Sequence, residues 1–163
     1  MTKKQKDYYA IIGLSFGTGI SNKYLSEVVK IIRKDYPHII PILQKEIASW
    51  LFLDRRLLKY VISKHRKKGK YLDTIEVLEQ AKEICGNNKK VILIAHPDHL
   101  PRCILTARLL GFEPAEGRVP KDIPYDNSSF NTQWWTKSKL RFMFWEFIAY
   151  LWLFLKIKLK KNE

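Results

Sequence analysis

Lys90-Val91-Ile92-Leu93-Ile94-Ala95 leads directly into His96-Pro97-Asp98-His99-Leu100-Pro101-Arg102. An unbroken apolar run with β-branched residues, bounded by a lysine and a polar turn, reads as the clearest strand of the chain. Asp98 is placed to cap a helix that tolerates Pro101 in its first turn and runs to Leu110, where Gly111 stops it. Upstream, 71–85 predicts another helix. Asp73 or Thr74 is its cap, Glu76 stands at capping-box spacing from Asp73, and Gly86-Asn87 ends it.

Working outward, 8–14 (YYAIIGL) predicts a buried strand ending in Ser15-Phe16-Gly17-Thr18-Gly19. A helix capped by Ser21 or Asn22 follows, with an apolar stripe through Tyr24, Leu25, Val28, Val29, Ile31 and Ile32 until Pro37. Residues 38–43 (HIIPIL) read as a strand that carries Pro41, and 44–53 as a helix. Residues 57–62 fit a short strand or a helix end, 113–131 reads as irregular, and 134–158 as a long final helix. Strand and helix alternate three times. That order predicts one α/β domain over 1–163, a three-layer Rossmann-like fold with a mostly parallel sheet and a long C-terminal helix.

The 163 residues are 46% apolar and 28% charged, a globular composition that excludes disorder and disulfide scaffolds. Cys85 and Cys103 lack metal-ligand spacing and read as buried thiols of a reducing compartment. The net charge of +14 resides in three segments: Lys3, Lys4 and Lys6; the basic segment 54–70; and Lys137, Lys139, Arg141, Lys156, Lys158, Lys160 and Lys161 around the apolar part of helix 134–161. Such a face suits something anionic, a membrane surface or a nucleic acid, and nucleic acid is disfavoured because no helix-turn-helix, finger or RNA-recognition motif accompanies the charge. No signal peptide is read at the N-terminus. Residues 142–155 would span about 21 Å, short of the roughly 30 Å of a hydrocarbon core. The expected location is cytoplasmic, with the C-terminal helix a candidate contact to an anionic inner membrane face.

Open parallel sheets bind ligands beyond the carboxyl ends of their strands. Unusual polar residues of this chain fall there: Gly17, Thr18 and Gly19 after the first strand, Gln44 and Glu46 after the second, His96, His99 and Arg102 after 90–95. Thr74 and Glu76 join them at a helix start. A Gly-x-Gly turn opening a helix admits an anion to backbone amides, or is simply a tight turn; the P-loop and dinucleotide patterns are absent. His99 and Arg102, three apart, share a helix face, where arginine holds an anion and histidine handles a proton; the plainer alternative is a histidine that only bonds its loop. Glu46 or Glu76 would orient that histidine. HxxH lacks the glutamate of a zincin, so no metal is expected. The stretch 125–138, rich in amides and aromatics, is a candidate lid, with Trp134 or Trp135 stacking on a ligand, Trp135 being the site candidate, or packing the last helix on the sheet. The expected partner is an anionic or nucleotide-like small molecule. No cofactor, reaction or oligomeric state follows, and a pocketless peripheral membrane or scaffold protein is the competing class.

The run 91–103 with the following Ala107-Arg108-Leu109-Leu110-Gly111-Phe112 resembles the strand, His-x-x-Arg and helix signature of the bacterial YdcF, SanA and ElyC family. The segment 71–84 (YLDTIEVLEQAKEI) is similar to that family's Ser/Thr-x-Glu helix, which maps Thr74 and Glu76 onto it. The stretches 42–51 (ILQKEIASWL) and 125–138 look like those of a subgroup with Gln-x-Glu and Trp-Thr-Arg/Lys-Ser segments. The resemblance covers about a third of the chain and implies a Rossmann-like domain with a polar pocket at the strand ends. Members are linked to the cell envelope, and one to S-adenosylmethionine, but no family-wide reaction is implied. The family's Gly-Gly after the second strand is replaced here by Leu43-Gln44-Lys45-Glu46.

Overall fold

The computed structural model describes residues 7–51, 60–65 and 72–160, with side chains to 155. The lysines at 3, 4 and 6, most of the basic segment 54–70, and the side chains of Lys156, Lys158, Lys160 and Lys161 lie outside the described residues. Elements follow in the order β1 (Ala10–Gly13), α1 (Ser21–Asp35), β2 (Ile40–Gln44), α2 (Lys45–Ala48), β3 (Tyr60–Ile62), α3 (Thr74–Cys85), β4 (Lys90–Ile94), α4 (Leu100–Leu109), β5 (Glu113–Glu116) and α5 (Lys139–Lys160), with 3-10 turns at Ser49–Leu51 and Trp134–Lys137. The strands form one parallel sheet in the order β3-β2-β1-β4-β5. The expected Rossmann-like α/β architecture is therefore observed.

Alternation along the strands separates two cores. Ala10, Ile12, Val91 and Leu93 face α3 and α4, packing with Val77, Leu78, Ala81, Cys103 and Ala107. Ile11, Leu43, Ile92 and Ile94 face α1 and α2, packing with Leu25, Val29, Ile32 and Ile47. Side chains of successive strand residues point to opposite faces, and a strand buried on both must be apolar throughout, which is why 90–95 carries no polar alternation. Gly13 fits closely where β1 passes β2 and α2: a Cβ there would stand 2.8 Å from Leu43 Cδ2 and 3.1 Å from Ile47 Cδ1, so these side chains would have to shift.

Several local expectations are corrected. Of the helix expected over 44–53, the described residues form one turn of α-helix and a 3-10 turn, and 52–53 lie outside the described residues. Residues 113–131 are not wholly irregular, since 113–116 add β5 at the sheet edge, where Pro114 faces Val91. A proline survives there because an edge strand has one side on which no ladder donor is needed. Ser21 and Asn22 do not cap α1, whose cap position is Ile20. Asn22 turns back instead, accepting from the Phe16 amide at 2.9 Å and donating to the Gly17 carbonyl at 3.1 Å. Asp73 does cap α3, accepting from the Glu76 amide at 2.8 Å. Asp98 does not cap α4; His99 occupies that position, and Asp98 accepts from the Tyr125 hydroxyl. Among the described residues no helix is long and apolar enough to cross a membrane. Both cysteines are free and buried.

Candidate functional site

Strands β1 and β4 are neighbours whose helices leave to opposite faces, which opens a crevice at their carboxyl ends. A cavity of about 490 Å³ lies there. Ser15, Phe16 and Gln44 form its floor after β1 and β2, the 72–75 turn and the start of α4 form one side, and α5 with the Trp134–Lys137 turn forms the other.

The polar end is a hydrogen-bonded cluster of Thr74, His99, Arg102 and Glu146. Arg102 donates Nε–H to Glu146 Oε1 at 2.9 Å and Nη1–H to Thr74 Oγ1 at 3.2 Å. Its Nη2 lies 3.3 Å from His99 Nδ1, and His99 Nε2 lies 3.3 Å from Thr74 Oγ1. A guanidinium only donates, so Nδ1 accepts and the ring proton sits on Nε2, facing Thr74. Burial, followed by the positive charge of Arg102, holds the His99 pKa below its ordinary value, in keeping with a neutral ring. Burial alone would raise the Glu146 pKa, but the adjoining His99 ring and the bond and positive charge of Arg102 outweigh it and hold it below the ordinary carboxylate value. Three of the five guanidinium hydrogens are engaged, and the Thr74 hydroxyl proton stays available.

Of the residues singled out in the sequence, Gln44, Thr74, His99, Arg102 and Trp135 line this cavity. The others do not. Gly17, Thr18 and Gly19 are engaged by the chain's own 124–136 loop. Thr18 Oγ1 donates to the Phe130 carbonyl at 3.1 Å, the Ile20 amide donates to Asp126 Oδ2 at 3.2 Å, and a Cβ on Gly17 would stand 2.6 Å from Thr136 Oγ1. His96 is buried against Phe16, ring centroids 3.9 Å apart, donating to the Ile123 carbonyl at 3.1 Å and accepting from the Asp98 amide. With burial pushing its pKa down to about 4, His96 is a neutral packing residue. Glu46 lies on α2, across the sheet from His99, because α2 packs on the α1 face and α4 on the α3 face. Glu76, in the first turn of α3, is not among the cavity residues.

The carboxylate that accompanies His99 is Glu146, from α5. Its sequence signal was the interruption of the apolar run 142–155 by a single acid. An ionised side chain persists in such a run when a buried partner receives it, and here both members of the pair are nearly covered, at 13% and 11% side-chain exposure. Trp135 stacks on Trp145 at 4.9 Å, with Trp134 edge-on to both. Phe16 and Phe142 meet edge to face at 4.8 Å. These rings, with Ile148, Trp152 and Leu153, make the cavity walls mainly apolar.

Among the described residues no cluster of three metal-ligating side chains occurs. Comparison with known proteins matches no family model, no curated protein and no solved structure.

Proposed function

We propose that the chain is a small-molecule-binding protein of the YdcF, SanA and ElyC kind, whose anionic or nucleotide-like ligand lies across the carboxyl ends of β1, β2 and β4. One observation carries the reading. Ser15 Oγ and Gln133 Oε1 are buried without a hydrogen-bond partner, and both residues line the cavity that Thr74, His99 and Arg102 also line. Buried polar atoms are normally satisfied, and a group of them around a cavity of ligand size is what a guest would complete. The two stretches that carry the family resemblance meet here, through Thr74 and His99. A flat apolar body would lie along the tryptophan wall, and an acceptor group would take the Thr74 hydroxyl, the remaining guanidinium hydrogens and the favourable end of the α3 dipole. In a catalytic version Arg102 holds the anion and the neutral His99 ring orients the Thr74 hydroxyl through its Nε2–H. The proposal includes a cytoplasmic location, supported by two free buried thiols.

Native mass spectrometry of gently purified protein, followed by tryptophan-fluorescence titration with AMP and with inorganic phosphate, tests this. A retained small molecule or saturable quenching by AMP is expected, weakened roughly 10- to 150-fold by Arg102→Ala, the equivalent of about 1.5–3 kcal/mol for a charge-assisted bond. No adduct and no quenching, from a protein shown to be folded, would overturn it.

A further inference from the structure

The inner face of α5 closes the cavity, with Phe142, Glu146 and Leu153 buried. Its outer face is uncovered. Leu140 is 81% exposed, Phe144 62%, Phe147 65%, Leu151 51% and Phe154 59%, and Met143 and Leu155 are exposed beside them. These positions recur at intervals of three and four, so they form one stripe along the helix, about 22 Å from end to end at 1.5 Å per residue. A helix whose far side faces water ordinarily carries its charges there. This one carries none in the middle of the stripe, because the only acid between 137 and 162 is Glu146, turned inward onto Arg102. Cations stand at both ends: Lys137, Lys139 and Arg141 before the stripe, and Lys156, Lys158, Lys160 and Lys161 after it in the sequence. Trp134, 46% exposed, adds an aromatic at the first end.

We infer that this face of α5 docks the protein on an anionic lipid surface, with the helix lying in the plane of the interface. The charge pattern selects that occupant. A second copy of the chain placed on the stripe, parallel or antiparallel, would set basic end against basic end with no exposed acid among the described residues of the helix to answer it, whereas anionic headgroups receive both ends while the apolar stripe enters the acyl boundary. The same pattern does not support crossing the bilayer, since the apolar stretch is too short and its inner face is bonded to the protein. Docking this way places Trp145, Ile148 and Trp152, which line the cavity, on the helix that meets the membrane. The inference does not rest on the proposed ligand.

Flotation with phosphatidylcholine vesicles, and with vesicles of seven parts phosphatidylcholine to three parts phosphatidylglycerol, tests it in the full chain. Binding to the anionic vesicles is expected to exceed that to the neutral ones at least tenfold at low salt, and to fall at least tenfold in 0.5 M salt. Phe147→Glu/Leu151→Glu, both at exposed positions, is expected to remain folded by circular dichroism and to lose at least tenfold in binding. Glu146→Leu/Arg102→Met, inside the cavity and without an unpaired buried charge, serves to separate the two readings: lost AMP quenching with retained flotation leaves the docking intact. No flotation with anionic vesicles at low salt would overturn the inference. So would flotation unchanged in the folded double variant, or a concentration-dependent dimer that this variant dissolves while wild type fails to float.

Discussion

The turn after β1 and the turn after β4 begin side by side at the same sheet edge, and both carry groups suited to a ligand. They end differently. Gly17-Thr18-Gly19 is occupied by Asp126, Asn131 and Thr136 from the chain's own loop, whereas His99 and Arg102 face a cavity with hydrogen-bonding capacity left over. Even within the second turn two histidines three residues apart divide, His96 into packing and His99 into the cavity wall. A polar turn at a strand end only offers hydrogen bonds. Whether the chain or a guest takes them depends on which distant segment arrives there.

The largest expected effect breaks the second turn. Glu146→Ala leaves a buried guanidinium without its counter-charge and should cost about 3–5 kcal/mol in urea unfolding, while Glu146→Leu/Arg102→Met should recover most of it. Recovery of nothing would mean that Glu146 acts through something other than the pair.

Next is pH. His96 is held at about 4 when folded against an ordinary 6.5, so the unfolded chain binds the extra proton first. Stability from His96 is then fully present above about pH 6.5 and is lost as pH falls toward 4, with a limiting slope of about 1.4 kcal/mol per pH unit for one such group. His99 is shifted in the same direction. His96→Gln, which keeps an N–H for the Ile123 carbonyl, should flatten the melting-temperature profile across that window; an unchanged profile would refute the neutral packing role.

Gly17→Ala probes the first turn. At φ +66° a side chain is strained, and the Cβ meets Thr136 Oγ1 at 2.6 Å, so a loss of about 1–3 kcal/mol is expected in thermal or urea unfolding. A neutral effect would show that the 126–136 loop does not lock this turn. The smallest effect belongs to Glu46→Gln, on the far face of the sheet: within about 0.5 kcal/mol in stability and with no change in AMP quenching. A tenfold loss of quenching would bring Glu46 back to the site.

Strand and helix alternation, the strand at 90–94, a cap at Asp73 or Thr74, and the placement of His99 and Arg102 near one end of the sheet were legible in the linear sequence, because each rests on local periodicity or on a residue's own backbone chemistry; Thr74 came to that site through the family resemblance. β5 was not, since Glu113-Pro114-Ala115-Glu116 carries no strand pattern and is extended only because β4 offers an unpaired edge. The carboxylate for His99 was not either. Glu46, Glu76 and Glu146 are the same chemistry in sequence, and only the packing of α5 across the strand ends, 44 residues beyond Arg102, brings the third of them to 2.9 Å. Local signals report what a residue can do with its neighbours in the chain. The choice among equivalent long-range partners is made by the summed burial of two apolar cores, which positions each helix and thereby decides which carboxylate is buried beside the arginine and which is left on the other face.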